Sequence, residues 1–212
     1  MSFKLFDKIV YINLKHRKDR RKAFLKEVKR LRIKKVERVD GCFDLFNGAR
    51  GCVLSHIKAL SMAKPDENIL IFEDDSLFTS SPTFINKQII NFFRTYQKSW
   101  DVFFLGGYYL KKVPDKHVMF QRVYASCGSY AYAVNGSYVS TLKNCFLEAY
   151  KVMEEDVTLV DTKMRAGDLD CYWHRLQKKD RWYSGKKPLV CPFESISDIW
   201  TMDKASVMKA FD

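Results

Sequence analysis

The chain has 212 residues, of which 47% are hydrophobic, and it carries a formal net charge of +12. A chain of this length and composition can bury a sizeable core, so we expect a single domain over residues 1–212. The longest apolar runs fall well short of the ~20 residues that cross a bilayer. The first ten residues contain an Asp and two Lys, so we expect neither a transmembrane segment nor a secretory signal.

The positive charge is concentrated at one end of the chain. Residues 1–38 carry fifteen Lys and Arg against four Asp and Glu, a net of +11. One hypothesis is therefore a nucleic-acid-binding protein that uses this basic segment, but such a protein would interleave basic residues with exposed aromatic residues across a groove. The charges here follow one amphipathic helical pattern, and we expect no nucleic-acid partner.

The cysteines give a prediction about the redox compartment. They are scattered, and no two have the two-residue spacing of zinc or redox motifs. We expect reduced, mostly buried thiols in a cytoplasmic protein. The six cysteines are Cys42, Cys52, Cys127, Cys145, Cys171 and Cys191.

Strand and helix patterns alternate along the first half of the chain. Strands are predicted in the segments "KIVYIN", "VERVDG", "NILIF" and "WDVFFLGGYY". Helices are predicted from His16 to Leu31 and in the segments "GARGCVLSHIKALSMA" and "PTFINKQIINFFRTYQ". This alternation predicts an α/β fold, a three-layer sandwich with a mostly parallel central sheet.

The second half is less regular. The segments "VMFQRVYAS" and "GSYAYAV" alternate as strands do, and "KPLVCPF" is predicted as a last edge strand. The segment "NGSYVSTLKNCFLEAY" is predicted as a helix with Asn135 as its N-cap. A shorter helix, "LDCYWHRLQKK", is expected to follow the acidic cap Asp168.

Three consecutive carboxylates, Glu73, Asp74 and Asp75, follow the buried strand "NILIF". Ligands of open α/β sheets bind outside the carboxyl ends of the strands. Adjacent carboxylates repel one another, so a fold tolerates them only if they are solvated, hydrogen-bonded or neutralised by a cation. A solvated turn would satisfy this condition. A site for Mg²⁺ or Mn²⁺ and a diphosphate is the sharper interpretation, because both ions prefer oxygen ligands.

The basic segment supplies groups that a diphosphate also needs. Asn13 ends the first predicted strand, and Arg17 and Arg20 fall three residues apart in the first helical turns. Arginine forks match phosphate oxygens, and a helix N-terminus favours an anion. The neighbouring basic residues are interpreted as ordinary solvated charges: Lys18, Arg21 and Lys22.

Together these motifs resemble glycosyltransferase family 25, which includes lipooligosaccharide and collagen-type galactosyltransferases and is similar to small domains of large DNA viruses. The resemblance rests on "VYINLKHRKDRRKAF", "VERVDG", "GARGCVLSHIKAL", "ILIFEDDSLF", "WDVFFLGG" and "GSYAYAVNGSYVSTL", in that order. It implies a GT-A-like, Rossmann-like fold and an inverting enzyme dependent on Mn²⁺ or Mg²⁺. It also implies a nucleotide-sugar donor such as a UDP-hexose and a glycan or glycoprotein acceptor. The nucleotide-sugar-binding half would cover about residues 1–110, and the acceptor half about 111–212.

The resemblance assigns roles to the residues of the donor side. Asp75 would bind the metal directly. The two preceding acids, Glu73 and Asp74, would contact the ribose or position the waters of the metal.

Further donor-side residues are implied on the first two helices. Asn13, Arg17 and Arg20 would hold the nucleotide, and Ser55 and His56 would line the donor site. His56 also has a purely structural interpretation, since it falls next to an apolar helix face and could be a satisfied core histidine.

An inverting transfer also needs a base for the acceptor hydroxyl. Asp168 and Asp170, in "AGDLDCYWH", are the main candidates, with Asp161 and Glu194 more distant. We favour Asp170 as the base and expect Asp168 to act as a helix cap.

Aromatic residues near these acids, namely Tyr172, Trp173 and Trp182, are interpreted either as a sugar-stacking platform or as core. A nucleotidyltransferase is the alternative enzyme, because it also combines carboxylates with metal. It would use acids from two strands and a glycine-serine phosphate loop, which the sequence does not show.

Overall fold

A computed structural model of the chain describes residues 2–155 and 168–193. Its strands are β1 (Lys8–Asn13), β2 (Val36–Asp40), β3 (Ile69–Glu73), β4 (Ser76–Phe78), β5 (Val102–Pro114), β6 (Phe120–Val134), β7 (Trp182–Gly185) and β8 (Val190–Pro192). Its helices are α1 (Lys18–Arg30), α2 (Gly48–Leu60), α3 (Pro82–Tyr96), α4 (Val139–Glu155), α5 (Leu169–Tyr172) and α6 (His174–Gln177). Short 3₁₀ turns cover Ser2–Leu5 and Gly136–Tyr138.

The central sheet has six strands in the order β2-β1-β3-β6-β5-β7. Strands β1, β2 and β3 pair in parallel, and so do β5 and β7. Strand β6 is antiparallel to β3, β5 and β7, so five of the six strands run in one direction. The predicted mostly parallel sheet is confirmed.

Helices α1 and α3 cover one face of this sheet. Phe24 of α1 stacks on Tyr11 of β1 with ring centroids 4.8 Å apart, and Phe92 of α3 stacks on Phe103 of β5 at 3.7 Å. All four rings are almost completely buried. Aromatic side chains of this size contribute most of the apolar area that leaves water on folding.

Helices α2 and α4 cover the opposite face. Val53 of α2 and Phe146 of α4 belong to the same buried cluster as Val10 and Ile71, which are strand residues of the sheet. Because successive side chains of a strand point to opposite faces, β1 contributes to both clusters. The expected three-layer α/β sandwich is confirmed.

Helices α2 and α3, and the 3₁₀ turn before α4, begin where the side chain of the preceding residue caps them. Asn47 accepts a hydrogen bond from the Arg50 amide before α2, and Ser81 accepts one from the Phe84 amide before α3. Asn135 caps the 3₁₀ turn that leads into α4, by accepting from the Ser137 amide at 3.1 Å. The predicted N-cap role of Asn135 is therefore confirmed.

Three predictions about the second half are corrected. The two predicted strands form one strand, β6, which Gly128 allows to continue with φ of +83°. The predicted last edge strand, β8, pairs instead with β4 in a separate two-stranded sheet, and β7 is the edge of the main sheet. The predicted helix after Asp168 is two four-residue turns, α5 and α6, which meet at Trp173.

The segment that leads into β8 crosses β5 at Gly106. A Cβ atom at this glycine would lie 2.3 Å from the carbonyl oxygen of Val190, so no larger residue fits without a shift of the backbone. The Leu189 amide donates to the Leu105 carbonyl at 2.7 Å, and the Phe193 amide donates to the Asp75 carbonyl at 2.8 Å. The chain on either side of β8 therefore holds β5 and the main chain of Asp75.

All six cysteines are free thiols. Only Cys145 is buried and the other five are half-buried, so the expected burial of the cysteines is wrong.

Within the described ranges, no helix has both the length and the apolar content that crossing a membrane requires.

Candidate active site

An open cleft lies at the carboxyl ends of β1 and β3. Its empty volume, which includes the open solvent at its mouth, is about 670 Å³. The cleft is lined by seven of the residues predicted from the sequence, Asn13, Arg20, Ser55, His56, Glu73, Asp74 and Asp75. Sequence reasoning therefore placed most donor-side residues around one cavity.

The side chain of Glu73 contacts the α2 side of the sheet. Ser129 of β6 donates its hydroxyl to Glu73 Oε1 at 2.7 Å, and His56 Nε2 lies 3.4 Å from the same oxygen. Burial disfavours the charged carboxylate, but the contacts with His56 and Ser129 outweigh this effect and lower the pKa of Glu73. Glu73 is thus an ionised group between α2 and β6.

The side chain of Asp74 contacts β1 and helix α1, which covers the face of the sheet opposite to α2. Its Oδ2 accepts a hydrogen bond from Asn13 Nδ2 at 2.7 Å, and Arg20 Nη1 of α1 lies 3.3 Å from its Oδ1. Burial raises the pKa of Asp74, although Asn13 and Arg20 both favour its ionised form. The acidic triplet is therefore divided between the two faces of the sheet.

Asn13 connects the strand ends. Besides Asp74, its amide donates to the carbonyl of Arg17 at 3.0 Å, and its Oδ1 accepts from Arg38 Nε at 3.0 Å. Arg38 also donates to the carboxylate of Asp40 at 2.7 Å. The residue predicted to hold a nucleotide is thus 2% exposed and ordered by protein contacts. Arg38 was not predicted, because its partner lies 25 positions earlier in the chain.

Arg17 lies at the N-terminus of α1 but does not line the cleft. Its Nε and Nη2 donate to the carboxylate of Asp19 at 3.1 and 2.9 Å. The hydrogen bond from Arg17 lowers the pKa of Asp19 to about 2. Arg20, one turn later, is the arginine of this helix that lines the cleft.

Ser55 and His56 form part of the cleft wall on α2. Ser55 Oγ donates to the Gly51 carbonyl at 2.7 Å and accepts from the Cys42 amide at 2.8 Å. His56 is 1% exposed, and its Nδ1 lies 2.8 Å from the hydroxyl of Tyr132. Ser55 thus holds the loop before α2, and His56 is both buried in the core and part of the cleft.

The carboxylate oxygens around Asp75 are ligands that suit a hard divalent ion. Asp75 and the adjacent Asp74 offer carboxylate oxygens to the same cleft, and Mg²⁺ and Mn²⁺ are commonly held by one or two carboxylates together with substrate phosphates. Arg20 Nη1 lies 3.8 Å from Asp75 Oδ2, beyond hydrogen-bonding distance. Asp75 is the carboxylate to which the resemblance assigns such an ion, and it lines the cleft together with Asp74.

The candidate bases lie beside the cleft and not in its lining. Asp170 Oδ2 accepts a hydrogen bond from the Gly128 amide at 2.7 Å. Burial, with a contribution from the charge of Glu73, raises the pKa of Asp170. The side chain of Asp168 is buried and makes no cap hydrogen bond to α5, so the expected side-chain cap is wrong. Asp161 and Glu194 lie outside the described residues.

The prediction of a sugar-stacking platform is wrong for both tryptophans. Trp173 and Trp182 are completely buried, with ring centroids 5.3 Å apart. Trp173 Nε1 donates to the Ser126 carbonyl at 3.0 Å, as a buried indole requires. Tyr172 is half-buried, and the guanidinium of Arg175 lies 3.9 Å from its ring centroid. The tryptophans are thus core, which is the alternative interpretation of the sequence.

Sequence reasoning missed Cys52. Its Sγ, one ring nitrogen of His56 and one carboxylate oxygen of Glu73 all lie within 4.8 Å of one another. The signal in the sequence was the spacing of Cys52 and His56, four residues apart and therefore on one helix face. The third residue comes from a strand, and spacing alone does not reveal it.

Comparison with known proteins gives a family match. Residues 43–145 match the model of glycosyltransferase family 25 (LPS biosynthesis protein). This segment contains α2, the acidic triplet and β5. The predicted resemblance is confirmed. None of the curated proteins compared with the chain matches it.

Several solved structures are similar in fold. One is the mannose-1-phosphate geranyltransferase from Thermus thermophilus, with 10% identity and a TM-score of 0.46 over 84% of this chain and 72% of that one. A nucleoside-diphosphate-sugar pyrophosphorylase from Vibrio cholerae has 14% identity and a TM-score of 0.40 over 86% and 75%. A glycosyltransferase involved in the glycosylation of the major capsid of PBCV-1 has 6% identity and a TM-score of 0.42 over 96% and 98%. The match over residues 43–145 shows that this segment is similar to glycosyltransferase family 25, and it supports a glycosyltransferase.

Proposed function

We propose that this glycosyltransferase moves a hexose from a UDP-sugar to a hydroxyl of a glycan or glycoprotein acceptor, with inversion and with Mn²⁺ or Mg²⁺ held at Asp75. The observation that carries the proposal is the meeting of Asp74, Asp75 and Arg20 in one cleft at the carboxyl ends of β1 and β3. The same cleft presents carboxylates for a cation and a guanidinium for phosphate oxygens.

The residues around Asp74 prepare the donor site. Asn13 and Arg20 fix the Asp74 carboxylate from β1 and α1, so the triplet is ordered before a donor binds. The N-terminus of α1 adds a field that favours an anion. Arg20 is 9% exposed, and its charge acts in a partly desolvated place where it is weakly screened.

A divalent ion at Asp75 would supply charge to the departing diphosphate, so that no protein acid is needed on that side. Asp75 would hold the ion, and Asp74 would lie beside it. The Phe193 amide fixes the main chain of Asp75 through its carbonyl. The protein's contribution is thus to keep the carboxylate in place while the donor enters and leaves.

Asp170 is the proposed base. As the acceptor oxygen bonds to the anomeric carbon and the bond to the diphosphate breaks, the hydroxyl proton would pass to the Asp170 carboxylate. The Gly128 amide orients this carboxylate, and the raised pKa makes it a stronger base than an exposed aspartate. A single displacement from the face opposite the diphosphate inverts the anomeric carbon.

The basic groove beside α1 does not favour the nucleic-acid alternative. Its lining is formed by Lys15, Lys18, Arg21, Lys22, Leu25, Arg38 and Asp40. Among these described residues there is no aromatic side chain on which a base could stack.

The experiment is a screen of nucleotide sugars by thermal unfolding and product analysis, with Mn²⁺ and with a chelator. We expect stabilisation by a UDP-sugar only with metal, and release of UDP with an acceptor glycan. Consumption of a nucleoside triphosphate and a sugar phosphate, with release of pyrophosphate, would establish the nucleotidyltransferase instead.

A further inference from the structure

Three potential metal ligands come together on the α2 side of the cleft. Cys52 and His56 are one helical turn apart on α2, and Glu73 ends β3. One ligand atom from each lies within 4.8 Å of the other two, and all three residues line the cleft. None of the roles proposed above uses Cys52.

His56 gives an independent indication of a ligand. The side chain is 1% exposed, and within the part of the chain that the structure describes its Nε2 makes no well-aligned hydrogen bond, only the long contact with Glu73. A buried polar atom without a hydrogen bond is costly. Its closest charged neighbour is Glu73 Oε1 at 3.4 Å. The nitrogen therefore faces the space that Cys52 and Glu73 also face.

The other atoms of the cluster are arranged as around a metal ion. His56 Nδ1 lies 2.8 Å from the Tyr132 hydroxyl, so that in the metal-bound state the proton would sit on Nδ1 and Nε2 would bind the ion. Ser129 donates to Glu73 Oε1 at 2.7 Å. Outer hydrogen bonds of this kind orient metal ligands and fix the tautomer of a histidine.

We propose that Cys52, His56 and Glu73 bind a divalent ion of the Zn²⁺ and Co²⁺ class, at a site separate from the hard-ion site at Asp75. Thiolate, imidazole and carboxylate are the ligands that Zn²⁺ uses, whereas Mg²⁺ and Mn²⁺ prefer oxygen. A thiolate and a carboxylate together carry two negative charges and match a dication.

The distances suit this assignment. Ligand bonds of about 2.0–2.3 Å place tetrahedral ligand atoms roughly 3.3–3.7 Å apart. The three atoms now lie within 4.8 Å of one another, so a contraction of about 1 Å would bring them to that spacing. Three protein ligands would leave a fourth position for water or a substrate atom.

Occupation of the site would join α2 to the end of β3. Binding requires a deprotonated Cys52, so it releases a proton and weakens as the pH falls. A bound ion would hold Cys52 as the thiolate and would stabilise the folded protein.

Titration of the metal-free protein with Co²⁺ tests the proposal, because a thiolate ligand gives a charge-transfer absorption in the near ultraviolet that oxygen ligands do not give. We expect this absorption in the unmodified protein, its loss in Cys52→Ser, and its retention in Asp75→Asn. Cys42→Ser is the matched control, since Cys42 lines the same cleft outside the cluster. Absence of the absorption, or its persistence in Cys52→Ser, would overturn the proposal.

A second measurement needs no variant. Zn²⁺ should protect Cys52 from alkylation, as identified by peptide mass, while Cys42 stays reactive, because a metal-bound thiolate is not accessible as a nucleophile. Mg²⁺ should give no protection. Equal alkylation of Cys52 with and without Zn²⁺ would contradict the site, even if Cys52→Ser fails to fold.

Discussion

Asn13 donates a hydrogen bond of 2.7 Å to the carboxylate of Asp74 and so connects the end of β1 with the turn that follows β3. The two residues are 61 positions apart in the chain, and both are nearly inaccessible to solvent. Because a second carboxylate oxygen contacts Arg20, the position of Asp74 depends on both β1 and α1. The candidate active site is therefore ordered by the sheet itself.

Replacing Asn13 with Ala should destabilise the protein by about 1–3 kcal/mol, since it leaves the buried Asp74 carboxylate with one fewer hydrogen bond. Urea unfolding measures the change. Asn91→Ala is the control, because among the described residues the Asn91 side-chain amide makes a single long, exposed contact, with Met119. Equal stability of the two variants would show that the Asn13 contact contributes little.

Two acids of the triplet should affect the pH dependence of stability with opposite signs. Burial raises the pKa of folded Asp74 above its unfolded value, so its stabilising contribution is present below the unfolded pKa and lost as the pH rises through the folded pKa. The pKa of Glu73 is lowered, so its contribution is present above the unfolded pKa and lost as the pH falls through the folded pKa.

Asp74→Asn and Glu73→Gln are the matched pair for this prediction. Relative to the unmodified protein, Asp74→Asn should gain stability as the pH rises through the acidic range, and Glu73→Gln should lose it. Urea unfolding at a series of pH values gives both differences. The same sign for the two variants would contradict the division of the triplet between two environments.

The features that could be predicted from the sequence depend on residues close together in the chain. The alternation of strands and helices gave the three layers, and the rule for strand ends placed Asp75 at a cleft. The pairing of Glu73 with α2 and of Asp74 with α1 could not be predicted, because it depends on how two helices pack on opposite faces. Strand β7 was missed since four residues ending in glycine carry little pattern, and Cys52 was missed because its partner Glu73 is distant in the chain.

The thiol of Cys127 should react at unusually low pH. A hydrogen bond from Cys171 and a second from His174 lower the pKa of Cys127 to about 6, and the thiolate is the reactive form. Alkylation of Cys127, followed by peptide mass, should reach half its maximal rate near that pH. Cys145 is the internal control, because burial raises the pKa of its thiol. Parallel pH profiles for the two cysteines would refute the prediction.

Asp170→Asn tests the proposed base. Donor affinity should change little, while transfer should fall by the ~10²–10⁴-fold typical of lost general-base catalysis. Asp168→Asn should affect transfer much less, and inversion of the anomeric carbon should be seen in the product. Unchanged transfer in Asp170→Asn together with a large loss in Asp168→Asn would move the role to Asp168. Retention of anomeric configuration would exclude the single displacement.

The central claim is that donor binding depends on a divalent ion at Asp75, and calorimetry of UDP-sugar binding tests it most directly. With Mn²⁺ we expect measurable binding to the unmodified protein, and with a chelator or in Asp75→Asn we expect its loss. Lys22→Ala, in the basic groove outside the cleft, should bind the donor as the unmodified protein does. Undiminished binding of the UDP-sugar by Asp75→Asn, or in the presence of chelator, would contradict the account.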